Sequence, residues 1–174
     1  NPACLCTIRG VLQDYGTTIF TVMSALASEH GAVNLGQGFP DGNGPDDVRA
    51  EAARALIEGP NQYPPMRGLP ALRRAVADHD RRFFGLDVDP DRGVLVTSGA
   101  TEAIACAILG LVDLGDEVIV FEPLYDSYVP MIRRAGAVPR IVRLTPPDWA
   151  VPLDALRAAI TPATRLILLN TPHN

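Results

Sequence analysis

The sequence contains no lysine; all 15 of its basic residues are arginine. A chain without a side-chain amine cannot by itself run a mechanism that needs an amine nucleophile. Long apolar runs are missing too. The longest, Ala103 to Val112, lies between Glu102 and Asp113 and falls well short of the roughly 20 residues that cross a bilayer as a helix. The first residues show no basic start followed by a long apolar stretch, so no targeting segment is read there. Positive charge is scarce: the net charge is −5, and the arginines stand singly or as pairs such as Arg73-Arg74, Arg81-Arg82 and Arg133-Arg134. That pattern leaves no electrostatic footprint for nucleic acid or an anionic membrane, and the expected partner is a small molecule. The three cysteines, Cys4, Cys6 and Cys106, are odd in number and lack paired zinc spacing, which predicts a reduced, cytoplasmic protein. His30, His79 and His173 also lack metal-ligand spacing. What is present is 174 residues, 47% of them hydrophobic, enough to bury one sizeable core. The chain starts at Asn1 and stops at Thr171-Pro172-His173-Asn174, which reads as a fragment, although a processed or partial chain would read the same.

Thr17 to Glu29 carries Ile19, Phe20, Met23, Leu26 and Ala27 at helical spacing and predicts an N-terminal helix with one buried face. Gly36 to Pro45 has too many glycines and prolines to be anything but loop. Helices are predicted over Asp46 to Glu58, with acids at its start and Gly59 after it, and over Pro70 to Phe84, closed by Gly85. Pro60 to Gly68 connects them. Beyond this point short β-branched runs, Val94–Thr97, Val118–Phe121, Ile141–Leu144 and Leu166–Leu169, alternate with helical stretches over Thr101–Val112, Asp126–Ala135 and Leu153–Ile160. Such alternation predicts an α/β fold whose mostly parallel sheet carries helices on both faces. Ligands of such sheets sit beyond the carboxyl ends of the strands. Here that edge is made by Ser98–Thr101, Pro123–Asp126 and Asn170–Asn174.

Ser98-Gly99-Ala100-Thr101 is read as a direct turn from strand into helix, where backbone N–H groups and the positive helix end attract an anion. Gly99 permits close backbone approach, and the Ser98 and Thr101 hydroxyls add donors. The same residues also read as a plain N-terminal cap with Glu102 supporting the first turn, and local sequence does not separate the two. Tyr125 follows the next strand, where it would either stack on a flat ring or pack in the core. Asn170 and Asn174 could donate to a phenolate oxygen or simply form turns. Tyr63, in Asn61-Gln62-Tyr63-Pro64-Pro65, is either an exposed aromatic or a packed loop residue. Gly36-Gln37-Gly38 lacks the third glycine of a dinucleotide fingerprint, since Asp41 stands in that place. Ser98, flanked at two residues' distance by Val96 and Ala100, is no nucleophile elbow.

Taken together, the sequence resembles the fold type I, class I/II aminotransferases that depend on pyridoxal phosphate (PLP), from about Thr17 to Asn174. The motifs are Asn34-Leu35-Gly36-Gln37-Gly38-Phe39-Pro40-Asp41, Asn61-Gln62-Tyr63, Val96-Thr97-Ser98-Gly99-Ala100-Thr101-Glu102-Ala103, Gly115-Asp116-Glu117-Val118, Glu122-Pro123 with Tyr125-Asp126-Ser127-Tyr128, and Asn170-Thr171-Pro172-His173-Asn174. They are most similar to the branch of kynurenine/glutamine, methionine and N-succinyldiaminopimelate aminotransferases, and their number and order argue against chance. The resemblance implies that Gly99, Ala100 and Thr101 hold the PLP phosphate, that Tyr125 stacks on the pyridine ring, and that Asn174 bonds its 3′ oxygen. It places Gly36 beside the substrate carboxylate and lets Tyr63 reach the phosphate of a neighbouring subunit in a homodimer. The expected partners are an amino acid and a 2-oxo acid, with no nucleic acid and no membrane. In the family the Schiff-base lysine, the aspartate facing the pyridine nitrogen and two arginines lie beyond the position of Asn174. No catalytic residue is therefore assigned within this chain, and a longer reading frame is expected to continue with Pro, Gly, an Asp-x-x-Tyr segment and a Lys. Residues 1–45 are read as an N-terminal arm, helix and substrate loop, and 46–174 as an incomplete PLP-binding large domain. A carbon-sulfur β-lyase and a non-catalytic, ligand-binding regulator of this fold would carry the same segment.

Overall fold

Two acids at its first turn and a glycine behind its last fix one helix; a proline at its first position and a left-handed glycine fix the next. In the computed structural model these helices are α2, Asp46–Glu58, and α3, Pro70–Phe84, matching the sequence expectation at both ends. Gly85 closes α3 at φ 67°, its N–H on the Arg81 carbonyl and the Leu86 N–H on the Asp80 carbonyl, a hydrogen-bonded stop that favours glycine. The structure describes residues 15–38 and 42–172; Cys4, Cys6, Phe39 to Asp41, His173 and Asn174 fall outside them. The chain divides into two compact units, Thr18–Thr97 and Ser98–Asn174 with Asn1–Thr17.

In the first unit α1, Ile19–Glu29, precedes α2 and α3. Thr18 caps it, its hydroxyl accepting from the Thr21 N–H at 3.3 Å. The helix forms as predicted, but its apolar face is not buried: Ile19, Val22, Met23 and Leu26 are all exposed within the described residues. The spacing correctly marks a face that wants cover, and burial then depends on a covering surface. Val94–Thr97 also departs from expectation, because no strand forms there. Val94 is buried, yet the Val96 N–H donates to the Arg67 carbonyl rather than to a neighbouring strand. β-branched residues fit a pleated surface, but a strand exists only where a partner completes its ladder.

The second unit is the α/β part. It runs α4 (Ala100–Leu111), β1 (Glu117–Glu122), α5 (Tyr128–Arg134), β2 (Val138–Arg143), α6 (Leu153–Ala159), β3 (Thr164–Leu168). The described sheet has three strands in the order β2-β1-β3, with both pairings parallel. As the middle strand, β1 is shielded on both faces, and Val118, Ile119 and Val120 are 0% exposed. Val118 and Val120 pack with Ile108 of α4, Val112 just after it and Ile132 of α5. Ile119 and Phe121 pack on the other face with Val142, Leu144 and Leu156 of α6. A continuous apolar run is what a doubly covered parallel strand requires.

At the amino end of β1, Glu117 is buried and closes a polar knot. Its carboxylate accepts from the Arg140 guanidinium of β2 and from Thr161 Oγ1 at 2.7 Å, just before β3. These two bonds, Arg140 first, hold the Glu117 carboxyl below the usual carboxylate range. A group with a lowered folded pKa adds stability that is complete above its unfolded pKa and disappears as pH falls through the folded value. Glu117→Gln is therefore expected to lower the urea midpoint by a constant amount near neutral pH. The gap should close as acid protonates the wild-type carboxyl, and a gap of equal size at every pH would refute this role.

Candidate functional site

Arg165 at the start of β3 donates from Nε to the Leu111 carbonyl at the end of α4, at 2.8 Å. The last turn of α4 thus lies by the amino end of the sheet, and its first turn points to the carboxyl end. The Ser98–Thr101 turn, Tyr125 just after β1 and Asn170 just after β3 therefore share that edge, where α/β folds bind ligands.

Gly99 precedes α4 with φ 86° and ψ 174°, a backbone region that suits glycine, and no side chain caps the helix at this position. Glu102 is the supporting acid, its carboxylate accepting from the Ser98 N–H. Glu102 thus supports the first turn as the capping reading has it, and the helix starts behind a glycine that offers no side-chain cap. The first-turn N–H groups of a helix have no partners within it and carry its positive pole. The predicted strand immediately before this turn is absent, so the approach is an extended loop instead.

Tyr125 is half-buried, its ring edge-on to Tyr128 at 5.7 Å between centroids and 67° between planes. The core position belongs to Tyr128, which is buried, and Tyr125 keeps part of its surface open. Between them the Ser127 hydroxyl is buried without a hydrogen-bond partner among the described residues. Among the described residues no cluster of His, Cys, Asp and Glu could hold a metal ion, and no helix is long and apolar enough to cross a membrane.

Two predicted site residues fall in the other unit. Gly36 lies on the loop that follows α1; its N–H donates to Asn34 Oδ1 at 3.0 Å, and Asn34 Nδ2 donates to Ser24 Oγ at 2.9 Å. A Cβ on Gly36 would stand 2.7 Å from Met23 Cβ, so glycine is needed for this approach. Together with Met23, Leu26, His30 and Val33, Gly36 lines an open, mainly apolar cavity of about 390 Å³. Tyr63 is 96% exposed and does not pack into its own loop. Asn174 lies outside the described residues. Sequence reasoning missed Arg73, a buried arginine on α3. It lies one turn before Ala77, the other buried residue of this helix, and its partners are distant in sequence.

A half-open aromatic and a helix start without a side-chain cap at one sheet edge fit the class of PLP-binding α/β proteins. The chain belongs to the class I and II aminotransferase family, whose pattern matches residues 30–174; members of that family depend on PLP. It is 54% identical over 165 residues to a probable N-succinyldiaminopimelate aminotransferase of Mycobacterium tuberculosis, covering 94% of this chain and 42% of the relative. Against the methionine aminotransferase of Escherichia coli K12 the identity is 48% over 163 residues, again 94% and 42% of the two chains. The solved structure of the M. tuberculosis N-succinyldiaminopimelate aminotransferase superposes with a TM-score of 0.92 at 53% identity, over 97% of this chain and 44% of that one. The fold is thus part of PLP fold type I, and the chain spans about two fifths of the length of the curated relatives it matches.

Proposed function

We propose that this chain contributes the phosphate-binding turn and ring-stacking tyrosine of a PLP-dependent aminotransferase. The reaction would move an amino group from an amino acid of methionine, glutamine, kynurenine (aromatic) or N-succinyldiaminopimelate type to a 2-oxo acid. The observation that carries the reading is the start of α4: Gly99 with positive φ and no side-chain cap, at the same sheet edge as a partly open Tyr125.

The residues present fit the cofactor. A dianionic phosphate suits the N–H groups of Gly99, Ala100 and Thr101 with the Thr101 hydroxyl, and the exposed part of the Tyr125 ring offers a flat face to a pyridine. In this reading Gly36 would lie beside the substrate carboxylate, and Asn174 would supply an amide for the 3′ oxygen. Tyr63, too exposed to serve its own subunit's core, carries its hydroxyl to the phosphate of a second copy, which makes the working unit a homodimer. When bound, PLP supplies the electron-withdrawing ring that stabilises charge at the substrate's α carbon. This chain's own residues bind and orient; with no lysine in its 174 residues, it holds no side-chain amine for proton transfer at that carbon. Residues 1–45 serve as arm and substrate loop and 46–174 as part of the cofactor-binding domain, in a cytoplasmic protein.

The test uses the full-length protein with PLP, each of the four donors and a 2-oxo acid, and new amino acid is followed by mass spectrometry. Formation with at least one donor is expected; none with any would overturn the reading. Tyr125→Ala is expected to weaken PLP binding by about 0.5–1.5 kcal/mol beyond lost area, whereas Tyr125→Phe should bind as the wild type does. Unchanged affinity in Tyr125→Ala would assign the ring to packing alone.

A further inference from the structure

Arg73 on α3 is 8% exposed, and it and Glu117 are the buried charged residues among those described. Burying a guanidinium is costly unless its donors are matched, so where they go shows what it is for. Nη1 donates to the Pro90 carbonyl at 2.7 Å and to Asp91 Oδ1 at 2.9 Å, and Nε to the Gly68 carbonyl at 3.3 Å. The Asp91 carboxylate is 78% exposed, and an ion pair open to water on one side contributes little on its own. Two of the three bonds go to backbone carbonyls, which gives Arg73 hold of the path of the chain.

The chain it holds is the corner Arg67-Gly68, and that corner is gripped from every side. The Arg67 guanidinium reaches the Asp91 carbonyl, and the Arg67 carbonyl accepts from the Val96 N–H at 3.1 Å. The Gly68 N–H returns to the Pro65 carbonyl at 2.8 Å, closing the turn Pro65-Met66-Arg67-Gly68. Gly68 has φ 93°, and a Cβ there would meet Val96 Cγ2 at 2.5 Å. At the other end of the connector Asn61 Nδ2 donates to the Leu56 carbonyl at 2.8 Å. Tyr63 stands between these two anchors with its side chain almost wholly in solvent. A side chain with so little packing of its own takes its direction from the backbone that carries it.

We propose that Arg73 is a positioning residue for cofactor binding: by clamping the Gly68 corner to the Pro90-Asp91 loop it fixes the connector that presents Tyr63. The proposal rests on the reading above in which Tyr63 reaches the phosphate of a second copy. Lysine at position 73 would keep the charge but could not span the Gly68 and Pro90 carbonyls as the planar guanidinium does.

The experiment is a double-mutant cycle on the full-length protein, with PLP affinity read by equilibrium dialysis for wild type, Arg73→Met, Arg73→Lys, Tyr63→Phe and both doubles. Tyr63→Phe removes one hydrogen bond to a charged group and is expected to weaken binding about tenfold. Each Arg73 variant should weaken it about fivefold with Tyr63 present and less than about twofold in the Tyr63→Phe background, the non-additivity of groups acting through one another. Backbone hydrogen exchange over residues 62–67 should also rise in Arg73→Lys. If Arg73→Met does not fold, the lysine variant carries the cycle alone. Equal weakening in both backgrounds, or none in a folded Arg73→Lys, would overturn the proposal while leaving the cofactor reading intact. An unchanged affinity in Tyr63→Phe would instead refute the role of Tyr63, and the proposal would fall with it.

Discussion

Mixed with PLP, methionine or glutamine and a 2-oxo acid, the 174-residue chain is expected to form no new amino acid above a PLP-only control. The cofactor's aldehyde reacts with amines, and this sequence holds no lysine, so the chain terminus is its sole amine. Transfer also needs an amine that takes a proton from the substrate's α carbon and returns it, and no side chain of this sequence supplies one. Weak noncovalent binding is still expected, because a helix start attracts a phosphate without covalent attachment. Mass spectrometry of the mixture decides the matter: turnover above the control would mean that the catalytic amine is not a lysine at all.

The second large effect belongs to the middle of the sheet. Ile119→Ala is expected to destabilise the fold by about 2–5 kcal/mol, the range for emptying a well-packed aliphatic site. Ile119 is wholly buried and packs with Phe121, Val142 and Leu144 below α6. Because β1 is hydrogen-bonded to a strand on either side, its backbone has little freedom to collapse into the space. Urea unfolding followed by circular dichroism measures the change. A loss below about 1 kcal/mol would mean that the α6 face contributes little to the core.

The helices were legible where their signals are local. Asp46-Asp47, Pro70 and Gly85 act on their own turns, and the boundaries of α2 and α3 follow from them. Strands are less legible, because pairing is decided elsewhere in the chain. Val94–Thr97 has the composition of a strand but does not join the described sheet. β2 begins three residues before the predicted Ile141, and Pro139 lies inside it. The proline is tolerated because β2 is an edge of the described sheet: Val138 and Leu144 donate to β1 and its flank, so by alternation the missing N–H of Pro139 faces away from the ladder. At the site, the helix start behind Gly99 was legible to within one residue, since its signal is local. That Tyr128 and not Tyr125 takes the buried place depends on packing, which no local pattern records. Arg73 read as half of the pair Arg73-Arg74 on a helix, since nothing near it in sequence reveals the carbonyls of Gly68 and Pro90 as its partners.

The parallel arrangement also sets an order in time. Glu117 pairs with Val138 and with Thr164, so each bond of the sheet waits for a long loop to close, and α5 or α6 lies inside that loop. Isolated helical turns such as those of α2 and α3 relax within about a microsecond, whereas nonlocal pairing is slow. During that delay the run Val118-Ile119-Val120-Phe121 is uncovered, short, β-branched and without charge, the kind of segment that seeds intermolecular strands. Glu117 and Glu122 bracket it. Before Glu117 has found Arg140 and Glu122 has found Arg143 of β2, the pair acts as a gatekeeper, two negative charges at the ends of a sticky segment that make stacking against an identical copy repulsive.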